Sequence, residues 1–216
     1  QSVLLIGPEL AGKTALFTAW FRQERARNPE RLVISTSGAQ LVAGMSGLGQ
    51  WQERVRRVLD AAEQLDAVLY FDDFGDLFND NAKGFVDLAS ALRGPVQDGR
   101  VRVVGELSPE ALSLFESRDV GLFSAMARVR VQGLDAKGAK EAVLAHLEHQ
   151  AKEDADAQRL DEGAITALID LAERYLPYRP FPGKAIRLLE STLAVGTRAR
   201  GADGKRPEIT ADQVLD

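Results

Sequence analysis

The residues best suited to chemistry in this chain lie near its start, where Gly7-Pro8-Glu9-Leu10-Ala11-Gly12-Lys13-Thr14 fits the pattern Gly-x-x-x-x-Gly-Lys-[Ser/Thr] at every required position. Glycines at the first and sixth places let the backbone fold back, so that successive amide N–H groups face a common centre. A helix opening directly after the loop adds its positive N-terminal end. Lys13 supplies a mobile point charge for the β and γ phosphates of a nucleotide, and the Thr14 hydroxyl is placed to bind Mg2+. These eight residues are therefore expected to bind ATP or ADP with Mg2+.

A second group of chemical residues follows the apolar run Ala67-Val68-Leu69-Tyr70-Phe71, which ends in Asp72-Asp73. Enzymes with a phosphate loop hold Mg2+ with an acid at such a strand end and polarise the attacking water with a neighbouring one. Asp72 suits the metal role. Asp73 stands where the base would be, but it is a methylene shorter than glutamate, and a misplacement of about 1 Å costs on the order of 10²-fold in rate.

The elements that must position these groups follow from periodicity. Val3-Leu4-Leu5-Ile6 reads as a buried strand feeding the loop, and a helix is expected from Lys13 to about Arg27 with the pattern Ala15, Leu16, Ala19, Trp20. Further strands are expected at 32–35, 67–71, 101–104 and 129–131, with helices over 51–65 and about 85–93, the latter stopped by Gly94-Pro95. Strands alternating with helices imply a parallel sheet covered on both faces, with ligands beyond the carboxyl ends of the strands. From Asp135 onward the strand signals end. Asp135 caps an expected helix through about Gln150, Asp161 caps another through Leu176, and Gly183 to Arg198 reads as a third. The expected organisation is a nucleotide-binding α/β domain over 1–132 and a helical lid over 133–216. Ala199 to Pro207 reads as a mobile connection, and Thr210-x-x-Gln213 as a capping box.

Composition narrows the class. With Lys+Arg 27 against Asp+Glu 32, the net charge of -5 offers no basic footprint for nucleic acid. Cysteine is absent, which removes disulfides, zinc thiolates and thiol catalysis, and fits a reducing cytoplasm. No apolar run is long enough to cross a bilayer, so no membrane partner is expected. The first strand begins within a few residues of the start, as expected of a piece of a longer protein.

Four further segments carry a family resemblance. Leu41-Val42-Ala43-Gly44, Gly49-Gln50-Trp51-Gln52-Glu53-Arg54, Val68-Leu69-Tyr70-Phe71-Asp72-Asp73 and Phe181-Pro182-Gly183-Lys184-Ala185-Ile186 resemble, in order and spacing, the first AAA+ module of Clp-type unfoldases and disaggregases. The resemblance implies a five-stranded parallel-sheet AAA+ domain followed by a smaller helical lid. It further implies a ring of self-associated or related AAA+ subunits, a cytoplasmic location and a threaded protein substrate. In the lid, Pro182 and Lys184 stand where the family folds over the nucleotide; Lys184 touches phosphate on this reading, or else starts a helix. The segment that would precede residue 1 is where the family contacts adenine.

Three departures weaken the catalytic half of the resemblance. Met45-Ser46-Gly47-Leu48 places Gly47 where the family has a pore aromatic that grips polypeptide. Ser124-Ala125 occupies the place of an arginine pair that reaches the neighbour's ATP, a group worth about 10³ to 10⁵ in rate. Arg118 and Arg128 are candidate substitutes. At the polar sensor of the fourth strand stand Glu106-Leu107-Ser108, of which Ser108 resembles the family's hydroxyl residue or else caps a helix before Pro109-Glu110. The expectation is a module that binds ATP and hydrolyses it slowly or not at all, acting in assembly or regulation. The alternative is an active unfoldase subunit whose arginine and pore aromatic come from a partner or second module. His146 and His149 share a helix face, but no third metal ligand is evident.

Overall fold

The computed structural model describes residues 1–44, 49–78, 88–154, 157–196 and 208–215. The pore-loop reading at 45–48, the start of the helix expected at Phe85 and the connection over 199–207 lie outside the described residues. The chain divides into two compact units, one of residues 1–8 and 13–131, the other of residues 9–12 and 132–216.

The first unit runs β1 (Ser2–Ile6), α1 (Lys13–Arg27), β2 (Val33–Ser35), α2 (Gly38–Val42), α3 (Gln50–Gln64), β3 (Val68–Phe71), a 3-10 turn (Phe74–Phe78), α4 (Leu88–Gln97), β4 (Arg102–Leu107), α5 (Pro109–Phe115), α6 (Val120–Ser124) and β5 (Met126–Arg130). All strand pairs are parallel, in the order β2-β3-β4-β1-β5. Alternation along the strands sorts side chains between the two faces. Leu4, Ile6, Leu69, Phe71 and Val103 join the larger core with α3, α4 and α6. Leu5 and Tyr70, with Val3 and Val104, face Phe17 of α1.

Several elements differ from the sequence reading. Helix α4 continues through Gly94-Pro95 to Gln97, because one more turn brings Val96 into the core beside Leu92. Strand β4 extends past Val104 to Leu107, since Gly105 lies flat against the Phe74 ring and pairs with Leu4 and Phe71. Strand β5 is Met126–Arg130, earlier than the expected 129–131. On α1 the buried apolar residue is Phe17, stacked on Tyr70 with centroids 3.8 Å apart, whereas Leu16 and Trp20 are 45% and 40% exposed. Those two line a cavity of about 730 Å3 with Val3, Leu5, Phe17 and Val104.

The second unit contains α7 (Ala136–Glu153), α8 (Glu162–Tyr175), α9 (Gly183–Gly196) and α10 (Ala211–Leu215). Asp135 and Asp161 cap α7 and α8 by accepting from the Gly138 and Ala164 amides at 2.7 and 2.6 Å. Val143, Ile165, Leu168, Phe181, Leu189 and Ile209 fill its core. Ahead of α10 one half of the capping box is present, the Thr210 amide donating to Gln213 Oε1 at 3.0 Å.

Two stability measurements test this packing. A Cβ on Gly105 would lie 2.5 to 2.9 Å from the Phe74 side chain. Gly105→Ala should therefore cost about 1–3 kcal/mol in urea unfolding. Asp161→Ala, which removes only a cap, should cost about 1 kcal/mol.

Candidate functional site

The phosphate loop leaves the carboxyl end of β1, and its neighbours anchor both flanks. The Gly7 amide donates to the Leu107 carbonyl at 3.0 Å and the Val131 amide to the Ile6 carbonyl at 2.7 Å, prolonging both ladders beside β1. A Cβ on Gly7 would meet the Val131 carbonyl oxygen at 2.2 Å, so close approach of backbone is what requires glycine there. Gly12 has φ +94°, a conformation that disfavours side chains, and Leu10 also has positive φ, at 68°. Helix α1 then opens at Lys13, so its first N–H groups lack intrahelical acceptors and face an incoming anion.

Lys13 is buried, and its ammonium donates to the loop's own Gly7 and Pro8 carbonyls at 2.8 and 2.9 Å. The ammonium is thus held at the loop by two carbonyl oxygens. Residues 9–12 group with the second unit, where the Leu10 carbonyl accepts from the Gly183 amide at 3.0 Å and Pro182 Cδ lies 3.7 Å from the Cβ position of Gly12. Lys184 is buried within that unit. Its ammonium donates to the Leu176 carbonyl at 3.2 Å and lies 4.1 Å from the Phe181 ring centroid. A phosphate contact by Lys184 requires exchange of that bond.

The acids after β3 are exposed. Asp72 Oδ1 accepts from the Asp73 amide at 3.0 Å, and Asp73 Oδ1 accepts from the Gly75 amide at 2.9 Å, which starts the 3-10 turn. Asp73, expected as a weak base, is thereby oriented by its own turn. Ser108, the other candidate, is the N-cap of α5: its Oγ accepts from the Ala111 amide at 3.1 Å. The cap is one of the two roles read for Ser108 in the sequence, and it forms because β4 runs on to Leu107 and α5 begins at once.

The polar group that β4 does present is Glu106. The pairings Tyr70 with Val104 and Leu5 with Glu106 put Tyr70 and Glu106 on the α1 face of the sheet, beside the last turn of β1. Glu106 is 5% exposed. Its Oε1 accepts from the Tyr70 hydroxyl and its Oε2 from the Thr14 hydroxyl, the latter at 3.2 Å. Burial pushes its carboxyl above the usual range, and the nearby Asp72 charge acts the same way; the two hydroxyls and Lys13 oppose the shift. Burial and the bond to Glu106 together raise the Tyr70 phenol. The sequence reading passed over Glu106 in favour of Ser108. An ionisable residue inside the apolar run Val103 to Leu107, on the face of a neighbouring tyrosine, was the available signal.

Around the last strand, Ser124 and Ala125 stand immediately before β5, with the Ser124 hydroxyl donating to Gly121 at 3.0 Å. Arg118 donates to the Phe78 carbonyl at 3.0 Å and lies over the Phe115 ring. Arg128 pairs with Glu116 at 2.5 Å. Among the described residues there is no cluster of three or more His, Cys, Asp or Glu that could hold a metal ion. The groups that suit an Mg2+-nucleotide are the loop's backbone N–H groups, its ammonium and the Thr14 hydroxyl, together with the Asp72 carboxylate that follows β3.

Comparison with known proteins agrees with this geometry. Residues 3–106 match the model of the ATPase family associated with various cellular activities (AAA). Over 206 residues the chain is 28% identical to a chaperone protein ClpB of Bacteroides thetaiotaomicron, covering 88% of this chain and 23% of that protein. Over 211 residues it is 25% identical to a ClpA homolog, an ATP-dependent Clp protease ATP-binding subunit of Pyropia yezoensis, covering 94% and 25%. The chain thus spans about a quarter of the length of these relatives. A closed-state Hsp104 structure with ATPγS and casein superposes with a TM-score of 0.83 at 23% identity, over 99% of this chain and 37% of that one. The S. cerevisiae Hsp104-ADP complex gives 0.72 at 25% identity, over 90% and 28%. With its phosphate loop, five-stranded parallel sheet and helical second unit, the chain is an AAA+ module resembling those of Clp-type unfoldases and disaggregases.

Proposed function

We propose that this module binds ATP or ADP with Mg2+ through residues 7–14 and Asp72, splits ATP slowly or not at all, and uses the bound nucleotide to govern its assembly with copies of itself or with related AAA+ subunits. The observation that carries the reading is a phosphate loop complete in residue types and backbone, beside a last strand preceded by Ser124-Ala125. The two candidate substitutes, Arg118 and Arg128, are both engaged within their own chain. Without a cation to stabilise charge on the transferring phosphoryl group, turnover loses about 10³- to 10⁵-fold. A ligand that favours one conformation still shifts an equilibrium without being consumed. The cytoplasm supplies both ATP and a reducing milieu suited to a cysteine-free chain.

A second reading keeps the module as part of an active protein remodeller, with the missing arginine and pore aromatic supplied by a partner or another module. Relatives named as a chaperone and as a protease ATP-binding subunit favour it, as does the casein-bound Hsp104 neighbour.

Calorimetry should register association with ATP and ADP by the wild type and loss of about 100-fold or more in affinity for Lys13→Ala, in line with removal of a buried phosphate-binding charge. Size measured by light scattering should rise with ATP while phosphate release stays at background. Rapid turnover by the isolated chain that disappears in Lys13→Ala would overturn the slow-hydrolysis reading. Turnover that appears only on mixing with a ring partner would favour the second.

A further inference from the structure

The buried carboxylate of Glu106 has no task in the bound-nucleotide reading. It is buried, it reaches the same hydroxyl that a phosphate-loop protein offers to its cation, and it lies in the field of both Lys13 and Asp72. A negative group there works against a bare triphosphate, because the loop must gather a polyanion next to an existing carboxylate. A divalent cation reverses the sign of that interaction. Buried charges are tolerated when paired or coordinated to metal, and oxygen donors of this kind suit Mg2+.

Resting on the nucleotide-binding reading above, we propose that Glu106 makes nucleotide binding conditional on a divalent cation: it occupies the Thr14 hydroxyl when the cation is absent and joins Thr14 and Asp72 around the cation when the metal-nucleotide enters. Three elements converge to make this possible. Tyr70 on β3 holds one carboxylate oxygen, so the side chain keeps its direction when Thr14 is released. The pairing of β4 with β1 sets Glu106 beside Leu5, two residues before Gly7 of the loop. Thr14 stands in the first turn of α1, where its hydroxyl can exchange one oxygen partner for another. Glu106 thereby acts as a discriminator between metal-free and metal-loaded nucleotide, independent of whether ATP is split.

The test is a set of calorimetric titrations of the full chain with ATP and with ADP, each in excess EDTA and in excess Mg2+, for wild type, Glu106→Gln and Glu106→Ala. In the wild type the ratio of the two dissociation constants should exceed that of either variant by about tenfold or more, the effect of one charge at close range. The gain should come chiefly from tighter binding of metal-free nucleotide by the variants. Thermal unfolding of each protein reports that it is folded, and Glu106→Ala serves where an amide cannot match two hydroxyl donors. Equal ratios in wild type and variants, or a loss of affinity that is the same with and without Mg2+, would overturn the inference and leave nucleotide binding standing. Absence of any binding by folded wild type in both conditions would overturn the nucleotide reading and this one with it.

Discussion

Parallel pairing of β1 with β4 on one side and β5 on the other is the constraint from which the site follows. Once these strands run together, their carboxyl ends share one edge, and the chain leaving β1 has to turn there. The turn is closed in by the Leu107 and Val131 ladders, so a side chain at residue 7 has no room. Glycine at that place is therefore a packing demand, while at Gly12 it is a conformational one. The loop's capacity to hold an anion comes from the same geometry, because backbone N–H groups left over at the start of α1 face outward from that edge.

Strand alternation then decides which acids matter. Residues at the ends of β3 and β4 fall on opposite sides of the sheet according to parity, and Glu106 falls on the side of α1. Asp72 and Asp73 lie beyond the end of β3, exposed and bonded to neighbouring amides. The site thus combines two solvated carboxylates with one buried one. Only the buried one has its two oxygens held by hydroxyls from two different elements.

The phosphate loop, the five strands and the caps at Asp135 and Asp161 were legible because each rests on local chemistry: a glycine spacing, an apolar run, a side chain that accepts from its own helix. What was not legible depended on distant partners. The continuation of β4 through Gly105 needs Phe74, which arrives from another segment. The burial of Phe17 in place of Leu16 and Trp20 needs Tyr70. The run of α4 through Pro95 needs the core to reward Val96, and helix propensity alone argued for a stop. Glu106 was hidden for the same reason, since a carboxylate at a strand end reads as solvated until the tyrosine beside it is placed.

Tyr70 has two occupations: its ring stacks on Phe17 at 3.8 Å and its hydroxyl holds Glu106. That double use ties the two side chains together. Loss of the hydroxyl takes a partner from a buried carboxylate, and loss of the carboxylate takes this acceptor from a buried phenol, so either exchange made alone carries a desolvation cost that a joint exchange to apolar residues avoids.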